Sequence, residues 1–152
     1  MPSYSPPPFT PELEITYYEE LFAIDTNILE NPISVEIDNN CNIYARSNNK
    51  LIIAKIDSSF TIVDINRATD TNFGVFIGKS STGKYIVVNG LVDKIIVYKN
   101  GNLLQQLNRQ PLKYDESYAN STVAISPNGK YIVLFGYHSI TGNLALKVWE
   151  GK

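Results

Sequence analysis

At 152 residues, with 43% hydrophobic and 18% charged residues, the chain has enough apolar material for one packed core and too little length to expect two domains. A net charge of -2 excludes a general electrostatic attraction to nucleic acid or anionic membranes, and no run nears the roughly 18 apolar residues that a membrane-spanning helix requires. A single cysteine, Cys41, and a single histidine, His138, leave no internal disulfide and no ligand set for a structural zinc ion.

Residues 1–12 hold five of the eight prolines, including Pro6-Pro7-Pro8 and Pro11, which predicts an extended, polyproline-like arm. The same stretch has no charged segment followed by an apolar core, so it does not read as a secretory signal. Residues 13–32 are expected to form a strand or a short helix, because Tyr17, Tyr18, Leu21 and Phe22 share a helical face while the same window also suits a strand. From 33 to 152 period-two alternation takes over, as in Val35, Ile37, then Ile43, Ala45, and again in Ile95, Val97 and in Val123, Ile125. These runs are short, rich in β-branched and aromatic residues, and bounded by Asn, Gly, Ser and Asp clusters, which predicts many short antiparallel strands.

Several segments imitate chemical motifs. Asp38-Asn39-Asn40-Cys41-Asn42 begins like a calcium loop, but Ile43 stands where such a loop needs glycine and Asn49 where it needs a bidentate glutamate. It reads as a hairpin turn, and Cys41 lacks the basic neighbour that would activate its thiol. Gly78-Lys79-Ser80-Ser81-Thr82-Gly83-Lys84 fills the first seven places of a phosphate-binding loop, yet Tyr85 takes the place of the magnesium-holding hydroxyl and the segment lies between strands. It too reads as a hairpin turn. His138 lies in a loop with no nucleophile and carboxylate nearby in sequence, so no catalytic, cofactor-binding or metal-binding residue is assigned. The connection from Asn108 to Thr122 carries Arg109, Tyr114 and Tyr118, residue types favoured at binding hot spots, and Tyr137-His138 forms another polar loop. Arg109, Tyr114, Tyr118, Tyr137 and His138 are therefore the candidate partner-binding residues.

Internal repetition organises the strands. Gly83-Lys84-Tyr85-Ile86-Val87 returns as Gly129-Lys130-Tyr131-Ile132-Val133, and residues 35–45 align without a gap on 123–133, apolar on apolar. Three units result, about 33–66, 73–108 and 121–152, and the alignment predicts one equivalent position for Ile43, Tyr85 and Tyr131. The first two units have four strands each, whereas the third stops after its third strand near Trp149.

Four strands per unit of this length resembles the blades of WD-repeat, YVTN and quinoprotein-like β-propellers, whose blades often carry a Ser-Pro-Asp-Gly-Lys-Tyr type turn between the first two strands. Ser126-Pro127-Asn128-Gly129-Lys130-Tyr131 is the clearest copy. No Gly-His opens a blade, and Tyr98-Lys99 and Trp149-Glu150 stand where a Trp-Asp pair would be, so the WD-repeat polar triad does not carry over. The resemblance implies an all-β fold of three propeller-like blades, an incomplete ring or one completed by oligomerisation, in which the segment Glu14–Ile24 could supply the outer strand that the third blade lacks. A blade is apolar on both faces, so a row of three exposes two of them. The expected function is a non-catalytic protein-interaction or assembly module whose partner, another protein or a second copy, completes the propeller. Two alternatives are a ligand-binding or enzymatic propeller fragment with a site in the central funnel, and a structural component of a virion or surface assembly. No cofactor, nucleic-acid partner or membrane insertion is expected, and the expected location is cytoplasmic or virion-associated.

Overall fold

The computed structural model describes residues 12–37, 40–47, 49–64, 77–89, 94–112 and 122–152, and among these it is all-β, without a helix. Twelve strands follow in order: β1 (Tyr18–Asp25), β2 (Pro32–Ile37), β3 (Ile43–Ser47), β4 (Lys50–Ala54), β5 (Phe60–Asp64), β6 (Ile77–Lys79), β7 (Tyr85–Asn89), β8 (Lys94–Lys99), β9 (Asn102–Asn108), β10 (Thr122–Ile125), β11 (Tyr131–Tyr137) and β12 (Leu144–Gly151). They form three four-stranded antiparallel sheets and no closed barrel. The first sheet is β2-β3-β4-β5, the second β6-β7-β8-β9, and the third β10-β11-β12 with β1 on its outer edge.

The hairpins show why these residues turn where they do. In the third sheet the Ser126 N–H donates to the Tyr131 carbonyl at 2.9 Å, Gly129 N–H to the Ser126 carbonyl at 2.9 Å, and Tyr131 N–H to Ser126 Oγ at 2.9 Å. Ser80, Gly83 and Tyr85 of the second sheet repeat all three bonds at 3.0 Å. Gly83 and Gly129 both adopt φ of 80°, a left-handed conformation that glycine enters without steric cost. The phosphate-loop imitation is thus a β-turn between β6 and β7. Asn100-Gly101, with φ of 50° and 79°, makes the two-residue connection between β8 and β9 that favours this dipeptide.

Two buried clusters set the order of the sheets in space. One joins Tyr85, Val87, Ile95 and Val97 of the second sheet to Ile132, Leu134 and Trp149 of the third. The other joins Val35, Ile37, Ile43, Ala45 and Ile52 of the first sheet to Val133, Phe135, Leu146 and Val148, the opposite face of the third. The third sheet therefore lies between the other two, so the stack runs second, third, first. Its strands β11 and β12 are correspondingly buried on both faces.

The register corrects one expectation. Lys79↔Ile86 and Ile125↔Ile132 close hairpins with six intervening residues, whereas Ile37↔Ile43 closes one with five. Ile43 is thus equivalent to Ile86 and Ile132, not to Tyr85 and Tyr131. Because side chains alternate between faces, that single residue turns Ile43 to the opposite side of its sheet. The consequence is a consistent head-to-tail stack. The residue type of Val87 and Val133 points forward along it, towards the next sheet, and the residue type of Ile132 and Ile43 points back towards the previous one.

The segment before β1 fastens the second sheet to the third. Tyr85 Oη donates to the Leu13 carbonyl and accepts from Ile15 N–H, both at 2.7 Å. Leu13 N–H donates to the Asn128 carbonyl at 3.0 Å, and Thr16 N–H to the Lys152 carbonyl at 2.7 Å. Gln105 exchanges two hydrogen bonds with the Tyr18 backbone, at 2.7 and 3.0 Å. Glu14 pairs with Lys84 and Lys99, and those two ammonium groups hold its carboxyl below the usual carboxylate range. Ile15 and Tyr18 are buried in the core that this strap closes over.

Candidate functional site

Head-to-tail stacking leaves two sheet faces at the ends of the described structure. The backward face of the second sheet carries Ile77, Ile86, Val88, Ile96, Tyr98 and Leu103, which share that side by register. Ile77 is 61% and Leu103 59% exposed, high values for apolar strand residues. On the forward face of the first sheet lie Leu51, Ile53 and Val63, with Tyr44, Arg46 and Glu36 beside them. Strand β5 is exposed along its whole length. Both faces are mixed: apolar residues stand beside Lys79 and Lys94 on the one, and beside Glu36 and Arg46 on the other.

The predicted contact residues are dispersed. Arg109, a candidate contact residue at the start of the connection after β9, is fully buried, and its Nη2 donates to Asn89 Oδ1 at 2.7 Å. A guanidinium fits there because it can bond a buried amide at the end of β7 while the chain leaves β9 for the third sheet. Tyr137 and His138 are half-buried at the end of β11. Tyr137 donates to Asn31 Oδ1, and burial raises its phenol above the usual tyrosine range, as does the nearby Glu30 carboxylate to a lesser degree. His138 Nδ1 accepts from the Ile140 and Thr141 N–H groups at 3.2 and 3.4 Å, and its backbone bridges to Leu112. The ring nitrogen thus organises its own turn. Tyr114 and Tyr118 lie outside the described residues, as do Asp38, Asn39 and the proline-rich residues 1–11.

Sequence reasoning missed Lys147. It stands mid-strand in β12 with only 5% exposure, and its Nζ donates to the Asn108 carbonyl at 2.7 Å and to the Gln110 carbonyl. Burial lowers its pKa from the ordinary lysine value, opposed by the Glu20 carboxylate 3.9 Å away. Alternation offered the only signal: Lys147 sits between Leu146 and Val148 in a strand buried on both faces, where a charged residue requires partners. Its task is to hold the chain's passage from the second sheet onto the third. Lys147→Met keeps the apolar stem but strips the donor from two carbonyls, and is expected to cost about 2 kcal/mol in urea unfolding. A loss under about 0.5 kcal/mol would mean that those carbonyls are satisfied otherwise.

No protein-family model matches the chain, and none of the curated proteins matches it. Among solved structures, the β-propeller domain of Cps50 (Swd1) from Myceliophteria thermophila is similar at 10% identity with a TM-score of 0.33. That match covers 78% of this chain, which spans about half, 53%, of the solved chain.

Proposed function

We propose that the chain is a non-catalytic, propeller-like protein-interaction module, akin to WD-repeat-type blades, whose work is done by the two terminal sheet faces. The carrying observation is the pair of sheet faces, each with exposed apolar residues, at the two ends of the described stack, one backward and one forward. A sheet surface bearing Ile77, Ile86, Val88, Ile96 and Leu103 loses roughly 25 cal/mol of unfavourable hydration for every Å² that a partner covers. Such a surface is a contact site waiting for its complement.

A photo-crosslinking residue placed in turn at positions 77, 103 and 63 tests this reading, with the exposed loop position 140 as control. Protein adducts are expected at the first three positions and not at 140. Adducts confined to position 140, or none anywhere, would remove the role assigned to the faces.

A further inference from the structure

We infer that the occupant of the two terminal faces is a second copy of this chain, joined head to tail at two equivalent junctions. This rests on the interaction reading above and names its partner. The chain already makes the required contact twice within itself: the forward face of the second sheet covers the backward face of the third, and the forward face of the third covers the backward face of the first. Among the described residues, what remains is one backward face and one forward face, the two halves of a third contact of the same type. They belong to opposite ends of the stack, so one copy offers each to the other. A heterologous contact of this sort closes into a ring when the rotation per sheet permits. Two copies supply six blades, within the four to eight of closed propellers.

Charge supports the pairing. At the junction of the second and third sheets, a methyl group on Gly78 would stand 3.5 Å from the Ile125 nitrogen, so these two positions meet. By register the first-sheet equivalent of Gly78 is Glu36, since Gly78↔Val87 corresponds to Glu36↔Tyr44. The second-sheet equivalent of Ile125 is Lys79, since Ile125↔Ile132 corresponds to Lys79↔Ile86. Repeating the internal junction between copies therefore sets Glu36 of one against Lys79 of the other. Both are exposed in the single chain, which leaves them available for that contact.

Sedimentation of the intact chain gives the test. The wild type is expected at twice the 17.0 kDa chain mass. Ile77→Asp/Leu103→Asp spoils the backward face and Leu51→Asp/Val63→Asp the forward face. Each is expected to weaken the dimer at least about 100-fold, since carboxylates would be buried in an apolar contact, with strand content by circular dichroism unchanged. Mixing the two variants leaves one junction intact and restores a dimer, an outcome peculiar to a head-to-tail arrangement. Glu36→Lys alone weakens association, and adding Lys79→Glu to the same chain recovers it. A monomeric wild type, a dimer indifferent to these variants, or a ladder of species beyond the dimer would each overturn the closed pair. If the monomeric wild type still crosslinks another protein through positions 77 and 63, only the identity of the partner fails. If it crosslinks nothing, the interaction reading fails with it.

Discussion

Deleting residues 1–25 is expected to abolish cooperative unfolding and leave a chain that precipitates. The loss lies in residues 12–25. Ile15, Tyr18 and Ile24 are buried there at 1, 2 and 6% exposure, and burying each such side chain stabilises by about 1.5–3 kcal/mol. The strap also carries the Leu13, Ile15, Thr16 and Tyr18 backbone bonds that fasten the second sheet to the third. Without β1, strand β12 becomes a bare edge, with the N–H and C=O groups now paired along Tyr18–Asp25 left open to other chains. The summed loss is about 5–9 kcal/mol, against about 5–15 kcal/mol for the whole stability of an ordinary domain. A synthetic peptide of residues 12–25 added to the deletion variant is expected to restore solubility by pairing with β12 as a donated strand. A sharp, wild-type-like transition in the deletion variant would show that β1 and its strap are dispensable.

The second large effect concerns two glycines that do the same backbone task in different surroundings. Gly83 and Gly129 share φ of 80° in equivalent turns. Around Gly83 an added methyl group would meet nothing within 4 Å, whereas at Gly129 it would stand 2.6 Å from Cδ2 of the Tyr85 ring. Gly83→Ala should therefore cost only the left-handed conformation, about 1–2 kcal/mol. Gly129→Ala carries that cost and must also displace a ring that is wholly buried and fixed by its hydroxyl to Leu13 and Ile15, adding about 2 kcal/mol or more. The comparison isolates the clash because conformational strain is common to both variants. Unfolding free energies in urea measure it, and Gly129→Ala combined with Tyr85→Ala should be less destabilised than the sum of the two single changes. Equal costs at positions 83 and 129 would mean that the Tyr85 ring does not rest on the Gly129 turn.

Much of this fold is written locally. Ser80 and Ser126 each use one side-chain oxygen and one carbonyl to close a turn, with the glycine three residues on supplying the left-handed bend, so a six-residue string fixes each hairpin wherever the rest of the chain lies. The same holds for Asn100-Gly101. Alternation of Val35 with Ile37, or of Ile95 with Val97, marks a half-buried strand because neighbouring side chains on a strand face opposite ways. The candidate site was less legible. Arg109 has the composition of a hot spot in sequence, but its burial depends on where Asn89 ends β7, twenty residues earlier. Lys147 interrupts an apolar strand, and only the arrival of the Asn108 and Gln110 carbonyls explains why its charge is tolerated there.

The sequence by itself determined three sets of short antiparallel strands and where they turn, because hairpin hydrogen bonds and side-chain alternation act over a few residues. Only the tertiary structure decided that the last repeat lies between the other two, that Ile43 pairs with Ile86 and Ile132 in role, and which faces are left at the ends of the stack. Apolar burial is non-directional: it requires every sheet face to be covered, but it does not specify by which neighbour. That choice rests on a long-range feature, an N-terminal strap reaching Tyr85 seventy residues away, and on a hairpin one residue shorter, whose effect on facing shows only when the sheets meet.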